Sequence, residues 1–463
     1  ENEDIDDRRY YHGEMFFHLY TSTVGSRTDG ELYYYEDQGN NKYDYFSDAD
    51  INSDSQISIA ESFLWMKDRE STADYPSIFP IEDQYERSNF ISFKYPTLIS
   101  NDMYGAFWGL PFQAKGQIGI ADNILLIDPL NVQNFSSVTI FDGGADYSIV
   151  DGDFVFNNCD VKGETDRFPV NLNGSFILNG ARLNNLSLNF TNAGKIVPNY
   201  GMISESDINL LVPENISFGI NSRLTLRDCN INGVLNLPES STLTIGGEVR
   251  ITTGSELYAL ANSTISFQPN GRLIVENGAI CDLRDMTVIM DNFGDIVIET
   301  GGTYTAVNVE FKPNLAIPDP DKDYEHWNGI TAAPGSYIFL STCSFTGAET
   351  AVSGTPAKLT VSNCTFTVCS NGINLTACND FRIIRNTFTG KGEGTAITVT
   401  QSNGWINNNT ASNFYKGLNV ISCSPLMVQN TITNNVLNGV YTAGYNTYPQ
   451  MYNPIQVASL KSL

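Results

Sequence analysis

The chain has 463 residues, with 26 Lys+Arg against 52 Asp+Glu and a formal net charge of −26. That balance excludes a nucleic-acid binder, because phosphate contacts demand a basic surface. No run of about 18 apolar residues occurs, which excludes a membrane-spanning helix.

Residues 1–100 hold 21 acidic and 8 basic side chains. That is half of the charge excess, and the asymmetry argues for two domains, the first suited to a divalent cation. The chain opens on Glu-Asn-Glu-Asp, without an initiator Met or a signal-peptide pattern, as expected of a processed chain or a piece of a longer one. Residues 10–24 carry Tyr11, Met15, Phe16, Leu19 and Tyr20 at mostly three- and four-residue steps, which predicts an amphipathic helix. Residues 26–47, polar and aromatic with tyrosines at 33–35, are expected to form a loop. Ser58 followed three residues on by Glu61 predicts a capped helix to about residue 69. The segment 71–100 reads as irregular, with a strand at 90–93.

The sharpest chemical motif is Asp50-Ile-Asn52-Ser-Asp54-Ser-Gln56-Ile57-Ser58-Ile-Ala-Glu61. Calcium is a hard cation that takes oxygen ligands from alternate positions of a tight loop. Asp50, Asn52 and Asp54 would offer side-chain oxygens, and Gln56 its backbone carbonyl. Ser58 would bind directly or through a water, and Glu61 would close the site with both oxygens. Ile57 stands where a side chain anchors the loop. Ser55 departs from the pattern, which has Gly at the sharp turn. The expected cofactor is therefore Ca2+ in a structural role.

Residues 10–95 resemble the C-terminal part of caspase-like cysteine peptidases, the legumain-like group in particular. The resemblance rests on the stretch Tyr-His-Gly-Glu14-Met-Phe-Phe-His-Leu-Tyr20 and on the acidic loop running into Ile57-Ser58-Ile-Ala-Glu61. It implies that the family's catalytic His and Cys lie upstream of Glu1, so no catalytic residue is carried over. His12 and His18 fall on the predicted helix, and no cysteine precedes Cys159. An upstream segment, or a cleaved chain of the same protein, is the partner this region is expected to dock on, because alone it buries little apolar surface.

Residues 101–120 read as a linker or cap, and 121–463 as the main domain. Short strands are expected at 124–127, 138–141, 154–156, 176–178, 224–226, 243–245, 273–275 and 296–298. Residues 312–328 form a polar insertion that contains His326. From 343 the chain repeats. Cys343-Ser-Phe345-Thr, Cys364-Thr-Phe366-Thr, Asn386-Thr-Phe388-Thr, Asn409-Thr-Ala411-Ser and Asn430-Thr-Ile432-Thr are spaced by 21, 22, 23 and 21 residues. A second marker keeps step at Val352, Ile373, Ile397, Leu418 and Val440. Such a period means stacked supersecondary units. Units poor in helix formers and rich in Thr, Ser, Asn and Val are stranded. The fold class is mainly β: a parallel β-helix, with a smaller N-terminal region that contains helix and the calcium loop.

In such a stack Phe345, Phe366 and Phe388 should lie above one another in the interior. The eight cysteines mostly share slots with small residues: Cys159, Ala181, Ser206 and Cys229; Cys343, Cys364, Asn386, Asn409 and Asn430; Ala357, Cys378, Ser402, Cys423 and Tyr445. Packed free thiols are the expectation, with Cys343 and Cys364 close enough to bridge.

Phrases such as Pro269-Asn-Gly-Arg-Leu-Ile-Val-Glu-Asn-Gly278 resemble right-handed parallel β-helix proteins of bacterial surfaces. That resemblance implies an extracellular or cell-surface location. The favoured function is a structural or binding, adhesin-like module with a carbohydrate or surface partner. Two alternatives stand beside it: the C-terminal part of a cysteine peptidase, and a polysaccharide lyase or hydrolase. The last needs clustered acids, for which Asp282, Asp285, Asp291 and Asp295 are the candidates, though solvated corners are their expected role.

Overall fold

The computed structural model describes residues 154–158, 160–163, 165–314, 327–445 and 447–452, and the backbone of nine short strands outside these ranges. The calcium loop at 50–61, the predicted helices, His12, His18, His326 and Cys159 lie outside the described residues. The chain is mainly β and winds as a parallel solenoid. Two units are distinguished, one built from residues 1–211 and 215–217, the other from 212–214 and 218–463.

In the first unit, Tyr34–Asp37 and Lys42–Tyr45 form an antiparallel pair where a loop was expected. Tyrosine is a strong strand former, and the register sets Tyr34 opposite Tyr45 and Asp37 opposite Lys42. The expected strand near 90 is present as Asn89–Ile91. It pairs in parallel with Gln117–Ile120, which pairs with Ser137–Ile140 and so into the ladder of Asp160–Gly163. Alternation then decides what is buried. Phe154, Phe156 and Phe176 are fully buried and pack edge to face at 5.9 and 5.2 Å. The strand Ser175–Asn184 turns a corner without ending, through a register shift at Asn179 and Gly180. Gly180 has φ +76, where a side chain is strained, and a Cβ there would sit 2.2 Å from Asn158 Oδ1, so glycine suits the corner.

The second unit is built from three ladders of parallel strands. The first sheet runs through Thr264–Phe267, Thr287–Met290, Glu310–Pro313, Ser344–Thr346, Thr365–Thr367, Thr387–Thr389, Thr410–Ser412 and Thr431–Asn435. The second contains Thr350–Gly354, Asn371–Thr376, Thr395–Thr400, Lys416–Ile421 and Asn438–Ala443. The third runs from Val234–Leu237 to Gln450–Tyr452 in ten strands. Each coil contributes one strand to each sheet, which is what a 21 to 23 residue period accommodates.

The aromatic ladder is as expected. Phe311, Phe345, Phe366 and Phe388 stack at 4.6, 4.8 and 4.5 Å with planes within 4 to 7° of each other, all fully buried. Trp327 flanks the stack, 6.2 Å from Phe311 and 6.4 Å from Phe345, and donates its Nε1–H to the Thr346 carbonyl at 2.9 Å.

The slot shared by Cys343, Cys364, Asn386, Asn409 and Asn430 also exists, but its logic is hydrogen bonding rather than size alone. The residue before each member takes a left-handed φ of 53 to 57°, at Thr342, Asn363, Arg385, Asn408 and Gln429. This turn leaves the next N–H aimed along the stack. Cys364 Sγ accepts the Cys343 N–H at 3.4 Å, Asn386 accepts that of Cys364 at 2.8 Å, Asn409 that of Asn386 at 2.9 Å, and Asn430 that of Asn409 at 3.0 Å. The amide nitrogens of Asn386, Asn409 and Asn430 satisfy the carbonyls of Val361, Ile383 and Ile406.

Two other slot assignments need correction. In the first unit, Ala181 pairs with Gly201, not with Ser206, because coil lengths there are unequal. In the second, Cys229 faces Val249, so its slot is not reserved for small residues. Cys378, Ser402 and Cys423 are buried together as expected, but Ala357 is exposed and Tyr445 is 93% exposed.

Candidate functional site

A solenoid interior is spent on packing, so chemistry must sit on an outer face. The thiols illustrate the first half of that statement. The seven cysteines among the described residues are buried, and Cys343 and Cys364 are unbridged. Burial pushes the Cys281 thiol up and carries Cys369 to about 11. Cys364 is raised by its hydrogen bond with Cys343 and then by burial. Raised in this way, Cys281, Cys364 and Cys369 stay protonated at neutral pH and make neither nucleophiles nor metal ligands.

The four aspartates considered for acid–base work are dispersed and engaged. Asp282, on the third sheet, accepts two bonds from Arg284 at 2.9 Å. Asp285, at a corner with φ 53, accepts from Asn308 at 2.8 Å. Asp291 accepts the Asn292 N–H at 2.8 Å. Asp295 is only 7% exposed and pairs with Arg272 at 2.9 Å, so a solvated corner does not describe it. No group of three or more His, Cys, Asp or Glu suited to a metal occurs among the described residues.

The third sheet's outer face is different. Its central outward row passes through Tyr258, Asp282, Thr305, Phe339, Thr360, Arg382, Trp405 and Leu426. The next row brings Tyr337 beside Lys358. Tyr337, Phe339 and Trp405 are 48, 43 and 52% exposed, although each has β-neighbours that could have covered it. Exposed aromatics gathered on one face are the kind of feature on which a binding role can be proposed. Phe339 and Trp405 are three rungs apart, roughly 14 Å at the parallel-strand spacing. Arg382 is exposed between them, one rung from Trp405, and Lys358 pairs with Asp380 at 3.5 Å. Lower on the face, the Tyr258 phenol is raised by its hydrogen bond to Glu256, then by burial. It stays a neutral donor.

Sequence reasoning missed this row. Its members do not repeat every coil, so periodicity carries no signal for them. The local signal is alternation in Tyr337-Ile-Phe339-Leu, where aromatics occupy the outward positions of a strand whose inward ones are Ile338 and Leu340.

Residues 294–454 match the family model described as "Right handed beta helix region". That match covers the coils that carry the aromatic stack, the asparagine slot and most of the outer row. Comparison with curated proteins finds no match.

Proposed function

We propose that the chain is a cell-surface binding module in which a rigid β-solenoid presents the third sheet's outer face to an elongated polysaccharide. The observation that carries this reading is the exposed row of Phe339, Arg382 and Trp405, with Tyr337 and Lys358 alongside. Flat aromatic faces stack on sugar rings, and Arg382 and Lys358 favour a polymer with acidic sugars. A parallel stack is an extended scaffold whose repeats supply successive contact points, as a polymer requires. Titration calorimetry with polygalacturonate and with a neutral glucan tests it. Binding to the acidic polymer is expected, about tenfold weaker in Trp405→Ala with unchanged melting temperature. Equal binding by the variant, or none by the parent chain, would remove this reading.

The acidic loop adds calcium to the proposal. Six oxygen donors from Asp50, Asn52, Asp54, Gln56, Ser58 and Glu61 would close a structural site on the N-terminal region. Chelation is expected to lower that region's melting temperature, and Asp50→Ala with Glu61→Gln to abolish the shift. Indifference of the parent chain to chelator would dismiss the metal. The peptidase alternative depends on a His and a Cys upstream of Glu1, and the lyase alternative on acids that share a face. No described residue favours either.

A further inference from the structure

The first sheet carries a second, chemically unlike surface. In five successive coils, two hydroxyl residues flank one inward residue: Ser344 and Thr346, Thr365 and Thr367, Thr387 and Thr389, Thr410 and Ser412, Thr431 and Thr433. The register places them in two straight rows of five. All ten are exposed or half-buried. None hydrogen-bonds through its hydroxyl to another described residue, while the strands' own N–H and C=O groups are used in the ladder. The rows hold no charge and no aromatic ring. They end where Glu310 and Lys312 form an ion pair at 2.7 Å. Beyond that pair the next rung holds Thr287 and Ile289, and the two-hydroxyl pattern returns at Thr264 and Ser266, and at Thr242 and Thr244.

The spacing is regular in both directions. Along the stack, the inward rings between the two rows of hydroxyls repeat at 4.5 to 4.8 Å. Across it, two residues of extended chain separate the rows by about 6.7 Å. Threonine is stiff at χ1, so most of the hydroxyls and methyls are held in place before any ligand arrives. Strand propensity alone does not select this composition, because it favours Val, Ile and aromatics equally. The third sheet of the same coils uses Tyr337, Phe339 and Trp405 outward.

A soluble ligand of a few atoms has no use for ten identical groups on a grid. The absence of charge argues against an ionic partner, and the absence of aromatics against stacked sugars. The complement of this face is neutral, hydrogen-bonding and periodic in two dimensions at near these two spacings. Hexagonal ice has that character: its oxygens repeat near one rung along one axis and near the two-residue step along the other. We propose that the first sheet's outer face binds ice, its hydroxyls joining the lattice and its methyls seating between lattice waters.

The test uses the full chain, with thermal hysteresis and partition into a growing ice front as readouts. Both are expected in the parent protein. Thr387→Tyr with Thr389→Tyr should reduce hysteresis at least tenfold, whereas Thr398→Tyr on the second sheet should leave it unchanged. Thr387→Val with Thr389→Val keeps volume and strand propensity, and so separates lost hydroxyls from lost folding. It should weaken hysteresis with an unaltered melting temperature. Three outcomes would overturn the proposal: no hysteresis and exclusion from ice, full activity in the double tyrosine variant, or binding to powdered crystalline chitin or cellulose without binding to ice.

Discussion

Phe366→Ala is expected to destabilise the second unit by about 3–5 kcal/mol, the range for removing a fully buried aromatic. The ring lies 4.8 Å from Phe345 and 4.5 Å from Phe388, nearly parallel to both. Its loss deletes two stacking contacts and leaves a void that rigid coils cannot close. Each strand is held by ladders on both sides, so neighbours cannot move in without breaking register. In a solenoid each coil touches only adjacent coils, so the damage should be local in origin. Hydrogen exchange should quicken first in Ser344–Thr346, Thr365–Thr367 and Thr387–Thr389, before global unfolding. A loss below about 1 kcal/mol in denaturant titration would mean the stack is not the spine of this unit.

This spine was legible from the sequence because three phenylalanines recur in phase with a second marker, and stacking like on like is what a coil period enforces. The slots were legible only where coil lengths stay near constant. From Cys343 to Asn430 the spacing holds and the equivalences hold. Between Ala181 and Ser206 they fail, because the strand bulges at Asn179 and Gly180 and the coil to Gly201 is shorter than the spacing assumed. Trp405 and Phe339 were invisible to periodicity for the converse reason. Their row mixes Tyr, Asp, Thr, Phe, Arg, Trp and Leu from coil to coil, so no residue type recurs at the coil period. The hydroxyl rows escaped notice although they repeat perfectly, because alternation alone reads an outward threonine as ordinary strand filling.

Asn409 separates the two physical accounts of the shared slot. If size were the criterion, Asn409→Ala would be mild, since small residues recur in such slots. The geometry argues the reverse. Asn409 Oδ1 accepts the Asn386 N–H at 2.9 Å, and Nδ2 donates to the Ile383 carbonyl at 2.8 Å. Alanine orphans both buried backbone groups, at about 1–3 kcal/mol each, so a total loss of about 2–6 kcal/mol is expected. Asn409→Cys should cost less. In the same slot two coils away, Cys364 Sγ already takes the Cys343 N–H at 3.4 Å and donates to the Ser362 carbonyl at 3.3 Å. Asn409→Asp should be the worst at neutral pH, because a buried carboxylate accepts but cannot donate to Ile383 or Asn430. Denaturation midpoints at constant m-value give the ranking. The order Cys, Ala, Asp from mildest to most severe follows from hydrogen bonding. Alanine milder than cysteine would return the slot to simple packing, and with it the view that these corners are held by shape alone.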